Sequence, residues 1–167
     1  MNTSIVPVGI NDPRQPMAEL GTVALSLHIG RHAAIPVNSA EQASRIWQIY
    51  REGLNLGGSE SPKVLIKHGG KTVGYVSYNG RVWKGLPKMT GSPLVAEAAP
   101  IPTALVVGDW IPVEDMERGT LKLVRVVAVW PNDGGAVSFD VRPGERIYYH
   151  PKRMHPRYFA GIHSIHA

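Results

Sequence analysis

Five side chains carry the most legible chemistry in this 167-residue chain: Lys63, Lys67, Tyr78, Arg81 and Trp83. Cations interleaved with aromatic rings supply what a nucleic-acid strand needs, charge for phosphate and ring faces for bases. Arg81 has a second option, because a guanidinium can contact guanine when a β-ribbon enters a DNA groove. Another basic set, Lys152, Arg153 and Arg157, lies near the C-terminus beside Tyr148, Tyr149 and Tyr158 and would track a backbone alongside.

Whether the five converge depends on the strands that hold them. Val64–His68 and Lys71–Tyr78 flank Gly69-Gly70, and Lys71–Tyr78 and Arg81–Lys84 flank Asn79-Gly80. Both are two-residue hairpin signals, since a type I′ turn needs positive φ at both central positions. Two such turns fix a register in which Ser77 faces Val82, Val76 faces Trp83 and Ile66 faces Val73. One sheet face then carries Val64, Ile66, Val73, Tyr75 and Val82, and should receive a helix. The other carries Lys63, Leu65, Lys67, Thr72, Val76, Tyr78, Arg81 and Trp83. That second face reads equally as packing, with Leu65, Val76 and Trp83 buried under another part of the chain and the cations at its rim.

The helix is signalled by Ser39-Ala-Glu-Gln42, a capping box in which serine and glutamine side chains satisfy orphan N–H groups. Ala43, Ile46, Trp47, Tyr50 and Leu54 follow at helical spacing, so a helix is predicted over about 39–53, ended by Gly57-Gly58. Before it, Thr22–Ile29 and Ala33–Val37 read as strands, the latter at an edge because Pro36 cannot donate to a ladder. After it come the prolines and glycines of 86–102, then short strands over 104–107, 110–113, 121–130, 136–141 and 146–150. The predicted fold is α+β: an antiparallel β-sheet backed by one helix, followed by a small SH3-like β-barrel. Its expected divisions are an N-terminal arm (1–19), the helix-plus-sheet unit (20–85), a Pro-rich linker (86–102), the barrel (103–150) and a basic, His-rich tail (151–167).

Charge supports a polyanion partner. The chain holds 18 Lys+Arg against 13 Asp+Glu. The whole excess of five sits in residues 39–90, where eight cations (Arg45, Arg51, Lys63, Lys67, Lys71, Arg81, Lys84, Lys88) meet Glu41, Glu52 and Glu60. The absence of cysteine removes disulfides, Cys zinc sites and a thiol nucleophile. No apolar run reaches the ~18–20 residues of a membrane span, and Met1–Pro7 lacks the basic and apolar segments of a secretory signal, so a cytoplasmic protein without a membrane partner is expected.

Catalytic patterns are missing. The chain has no phosphate-loop, dinucleotide-binding, nucleophile-elbow or H-E-x-x-H motif. Glu114, Asp115 and Glu117 read as a solvated acidic turn. His150, His155, His163 and His166 have spacings that suit metal ligands, but Pro151 and Pro156 interrupt them and Lys152, Arg153 and Arg157 repel a dication. No catalytic residue, metal ligand or cofactor is assigned, and an enzyme ranks third among the readings.

The stretch from Ser39 to Trp83, above all Ser77-Tyr-Asn-Gly-Arg-Val-Trp83, resembles small uncharacterised proteins carried by plasmids and phages. Val107-Gly-Asp-Trp-Ile-Pro-Val113 is similar to a segment of SH3-like modules. The first resemblance implies an accessory protein of a mobile genetic element and brings no activity with it. The expected function is therefore non-catalytic binding of nucleic acid. The alternative is a protein-directed inhibitor or adaptor, of anti-CRISPR or anti-restriction type, acting on a host protein or nucleoprotein complex.

Overall fold

The computed structural model describes residues 24–87, 90–115, 119–130, 132, 136–142 and 145–149. The fold is α+β, with one α-helix and two antiparallel sheets among the described residues. The six-stranded sheet is built from β1 (Leu25–Ile29), β2 (Ile35–Val37), β3 (Val64–His68), β4 (Lys71–Val76), β5 (Val82–Lys84) and β6 (Leu94–Ala96), in the order β2-β1-β3-β4-β5-β6. The four-stranded sheet is a meander of β7 (Trp110–Asp115), β8 (Thr120–Trp130), β9 (Ala136–Arg142) and β10 (Glu145–Tyr149), in the order β10-β9-β8-β7. The proline-rich stretch thus contributes a strand: Val82 pairs with Ala96 and Trp83 with Leu94, while Pro93 accepts a bond from Lys84 N–H at 3.0 Å. β2 lies at a sheet edge, where Pro36 costs no ladder bond.

Two local departures decide which side chains share a face of the first sheet. The Gly69-Gly70 turn is a two-residue loop, with φ of 55° and 80° and His68 opposite Lys71. One step on, a β-bulge shifts the register, so Lys67 faces Thr72 but Ile66 faces Gly74 and Leu65 faces Tyr75. The second hairpin corrects the expected two-residue loop. Gly80 N–H donates to Ser77 O at 2.8 Å, Ser77 N–H donates to Arg81 O at 2.9 Å, and Gly80 has φ 92°. This is a three-residue loop, a turn closed by a glycine bulge, and it pairs Val76 with Val82 and Tyr75 with Trp83. The side-chain period of a strand is two, so the one-residue shift on β4 exchanges its faces. Val76 is buried and Tyr75 is not. The second shift restores β5 to the expected side.

The buried face of this sheet carries Leu25, Leu27, Ile29, Ile35, Val37, Val64, Ile66, Val73, Val76, Val82 and Ala96. On β1 the alternation is strict: Leu25, Leu27 and Ile29 are buried, while Ser26 and His28 between them are half-buried. That pattern belongs to an antiparallel sheet packed on one side only.

Helix α1 spans Ala40–Leu54. Ser39 Oγ accepts Gln42 N–H at 3.0 Å, and Gln42 Oε1 accepts Asn38 N–H at 2.8 Å, a capping box that reaches one residue further back than usual. The helix ends within a residue of the expected boundary at 53, and its stop is made before Gly57-Gly58. Asn55 adopts φ 53°, its N–H donates to Glu52 O, and Leu56 N–H donates to Arg51 O at 3.0 Å. Asparagine is the non-glycine residue best suited to that left-handed C-terminal position.

The described residues divide into two compact units, 24–44 with 62–99 and 45–61 with 100–149. In the first, the buried Ser44 hydroxyl donates to Gly80 O at 2.6 Å and accepts Ala99 N–H at 2.8 Å, tying α1 to the hairpin turn and to the chain leaving β6. In the second, Ile49, Leu105, Ile111, Val113, Val124, Val126, Val137 and Phe139 form one apolar core. Trp47 and Tyr50, both buried, stack with ring centroids 5.7 Å apart. Ala104–Val107, expected as a strand, enters a turn instead: Asp109 N–H donates to Val106 O at 3.1 Å and Gly108 has φ 95°. No helix among the described residues is long and apolar enough to cross a membrane.

Candidate functional site

The open face of the six-stranded sheet is organised by one continuous cross-strand row. His28 stands opposite Leu65, Leu65 opposite Tyr75, Tyr75 opposite Trp83, and Trp83 opposite Leu94. Directly opposed residues hold their Cβ atoms about 4.5–5.5 Å apart, so each side chain touches the reach of the next. His28, Leu65, Tyr75 and Trp83 are half-buried and Leu94 is 43% exposed. Among the described residues the row is half-buried to exposed and, apart from His28, apolar or aromatic.

Of the residues singled out in the sequence, Lys63, Lys67, Arg81 and Trp83 fall on this face. Lys63 and Lys67 alternate with Leu65 along β3 and its approach, one cation on each side of the row. Arg81 follows the alternation from Trp83, and its Nε donates to Glu97 Oε2 at 3.1 Å. Both partners are exposed, so water screens the pair and it holds the arginine weakly. Tyr78 sits in the hairpin loop rather than on a strand. It lines, with Tyr75, Ser77, Asn79 and Trp83, a shallow hollow of about 400 Å³. A second hollow of about 240 Å³ lies against Tyr75, Trp83, Gly91 and Ser92. Tyr75 and Trp83 line both hollows. Lys152, Arg153 and Arg157 lie outside the described residues.

Trp83 is fixed in orientation. Its indole N–H donates to Ser77 Oγ at 3.2 Å, and that hydroxyl donates to Asn79 Oδ1 at 2.6 Å. Loop and ring are therefore one hydrogen-bonded assembly, seated on Ser44 through the Gly80 carbonyl. At the far end of the row His28 Nε2 shares a hydrogen bond with Ser26 Oγ at 2.8 Å. Partial burial, and then the Lys67 ammonium, hold the His28 imidazole below its ordinary pKa, which favours a neutral ring near pH 7.

Three members of the row, His28, Tyr75 and Leu94, had no place on the expected open face. Tyr75 was concealed by the bulge beside Ile66, and Leu94 by the prolines around it. A hint was present: an Asn-Gly hairpin also accommodates a three-residue loop, and only that loop aligns Val76 with Val82.

Electrostatically the segment is one-sided. Residues 61–96 contain Lys63, Lys67, Lys71, Arg81, Lys84 and Lys88 and no carboxylate. The face's own share of that charge is Lys63, Lys67 and Arg81, with Glu97 beside the arginine, so the positive charge next to the rings is modest. No group of three His, Asp or Glu side chains among the described residues is placed to hold a metal ion. No protein-family model matches the chain, and no curated protein or solved structure is significantly similar to it.

Proposed function

We propose that this protein binds nucleic acid, without catalysis, through the open face of its six-stranded sheet, as a cytoplasmic accessory protein of a mobile genetic element. The observation that carries the reading is the Tyr75–Trp83 pair on an accessible face, in a segment of six cations and no carboxylate. Rings without charge would suit any apolar partner, and charge without rings would be an ordinary solvated surface. Their coincidence is what a polyanion with stackable bases uses. The basic tail residues Lys152, Arg153 and Arg157 belong to the same proposal as additional phosphate contacts. The second unit is read as an SH3-like barrel. Support comes from its four-stranded meander and single apolar core.

The test is fluorescence anisotropy with labelled DNA and RNA at about 50 and about 200 mM salt. Binding that weakens steeply with salt, and weakens further in Lys63→Ala/Lys67→Ala, is the expected result. No binding at the lower salt refutes the reading.

One observation favours the alternative of a protein-directed inhibitor or adaptor. Val106 and Val107 are 53% and 59% exposed on a turn of the second unit. That turn is held rigid by Asp109, whose Oδ2 accepts Val106 N–H at 2.8 Å. Exposed apolar side chains on a rigid turn suit a protein partner. Loss of target-protein binding on Val106→Asp/Val107→Asp, with nucleic-acid binding absent in the wild type, would move the function to that turn.

A further inference from the structure

The width of the sheet discriminates between two kinds of nucleic acid. Strands lie about 4.8 Å apart, so six of them span about 24 Å. The major groove is about 12 Å wide and admits a helix or a two-stranded ribbon. Tyr75 and Trp83 lie on β4 and β5, which are interior strands covered by β1 and β3 on one side and β6 on the other. The strands that bear the rings therefore cannot enter the major groove as a narrow ribbon, and bases stacked inside an undistorted duplex expose no faces to them.

From this geometry, and resting on the nucleic-acid reading above, we infer that the ligand is a single strand. It lies across the β-strands along the row from Leu94 to Leu65, with successive bases on Trp83 and Tyr75 and its backbone crossing β3 between Lys63 and Lys67. Three independent features fit. The two rings stand directly opposite one another, about 5 Å apart at Cβ, within the reach of neighbouring nucleotides. The pair lines two hollows, one together with Tyr78 and Asn79 and one together with Gly91 and Ser92, giving base edges a place to enter. The cations flank the row rather than interrupt it, as a backbone that follows the row requires. Tyr75 becomes a binding residue in its own right. Arg81 becomes a phosphate ligand that exchanges Glu97 for the strand, in place of a reader of guanine.

The experiment uses the full chain and three labelled probes of about twelve units, oligo-dT, oligo-rU and a DNA duplex, a length within the range one such platform covers. Both single strands are expected to bind at least about tenfold tighter than the duplex. Tyr75→Leu and Trp83→Leu keep apolar area but remove the ring, and each should weaken single-strand binding about 5- to 150-fold while Tyr75→Phe does not. Lys63→Ala and Lys67→Ala should each reduce the salt slope by about 0.7. Cross-linking of iodouracil-substituted oligo-dT to the wild type, mapped by mass spectrometry, should land on Tyr75 or Trp83, a readout that needs no variant to fold. Duplex binding as tight as single-strand binding, cross-links confined elsewhere, or folded leucine variants that bind like the wild type would each overturn the single-strand platform and leave nucleic-acid binding standing. Failure of all three probes to bind at about 50 mM salt would overturn both.

Discussion

Ser44 Oγ lies 2.6 Å from the carbonyl oxygen of Gly80, a contact between the N-terminal half of the helix and a hairpin-loop residue 36 positions later. Ser44 is fully buried, so its hydroxyl has no water to fall back on. Through it the helix holds the loop, the loop holds Ser77, and Ser77 holds the Trp83 indole.

Ser44→Ala removes the partner of both Gly80 O and Ala99 N–H. The expected cost is about 1–3 kcal/mol, the usual penalty for stranding buried backbone groups, read as a lower urea midpoint at unchanged m-value. Because the loop is displaced, oligonucleotide affinity should fall as well, though Ser44 itself touches no ligand.

Gly80 carries φ 92° at the bulge that sets the β4–β5 register. Any residue with a Cβ is strained there, and Gly80→Ala should cost about 1–2 kcal/mol. Gly58, which lies in open space without a positive φ, is the control: Gly58→Ala should change stability by less than about 0.5 kcal/mol. Thermal denaturation of the two variants side by side checks the contrast.

Arg45 and Asp109 form a two-bond ion pair in the second unit, Nε to Oδ1 at 2.7 Å and the terminal nitrogen to Oδ2 at 2.8 Å. The hydrogen bond to Asp109 raises the guanidinium pKa further above its already high value. The aspartate side chain is almost wholly buried while the arginine is about a third exposed. Arg45→Ala leaves a buried carboxylate that, among the described residues, keeps the Val106 N–H, and should cost about 3 kcal/mol. Asp109→Ala leaves a guanidinium that water can reach, and the loss should be smaller unless the Val106 turn opens. A double-mutant cycle by chemical denaturation separates the pair from the turn.

His28 and His32 both have their pKa lowered, His28 by desolvation and then Lys67, His32 by desolvation. A depressed imidazole pKa means the fold prefers the neutral ring. The stabilisation is present above the ordinary value of 6.5 and is lost as pH falls through the folded-state value. Melting temperature should therefore drop between about pH 7 and pH 5, and His28→Gln should flatten part of that drop. A profile unchanged in the double variant His28→Gln/His32→Gln would assign the acid sensitivity to other groups.

Local signals in the chain were sufficient for most of the elements, though they missed β6 and read the Ala104–Val107 turn as a strand. Ser39 and Gln42 announce the helix start, Gly69-Gly70 the first hairpin, and Pro36 the edge, because each acts through bonds within a few residues. The composition of the open face was legible only in part: Lys63, Leu65, Lys67, Arg81 and Trp83 fall on it as their alternation implies, whereas Val76 is buried and Tyr78 lies in the hairpin loop. What the sequence could not determine was the partner of Trp83. A bulge beside Ile66 and a three-residue loop at Tyr78-Asn79-Gly80 each shift the register by one. The first turns Val76 inward and Tyr75 outward, and the second returns β5 to its expected side. Both shifts follow from the need to bury Val76 and Val82 together, a requirement imposed by the whole sheet and invisible in either strand. Leu94 joins the row for the same reason, since β6 exists only because β5 offers it an edge. Side-chain type is written in the sequence. Which rings stand side by side is decided by the packing of the opposite face.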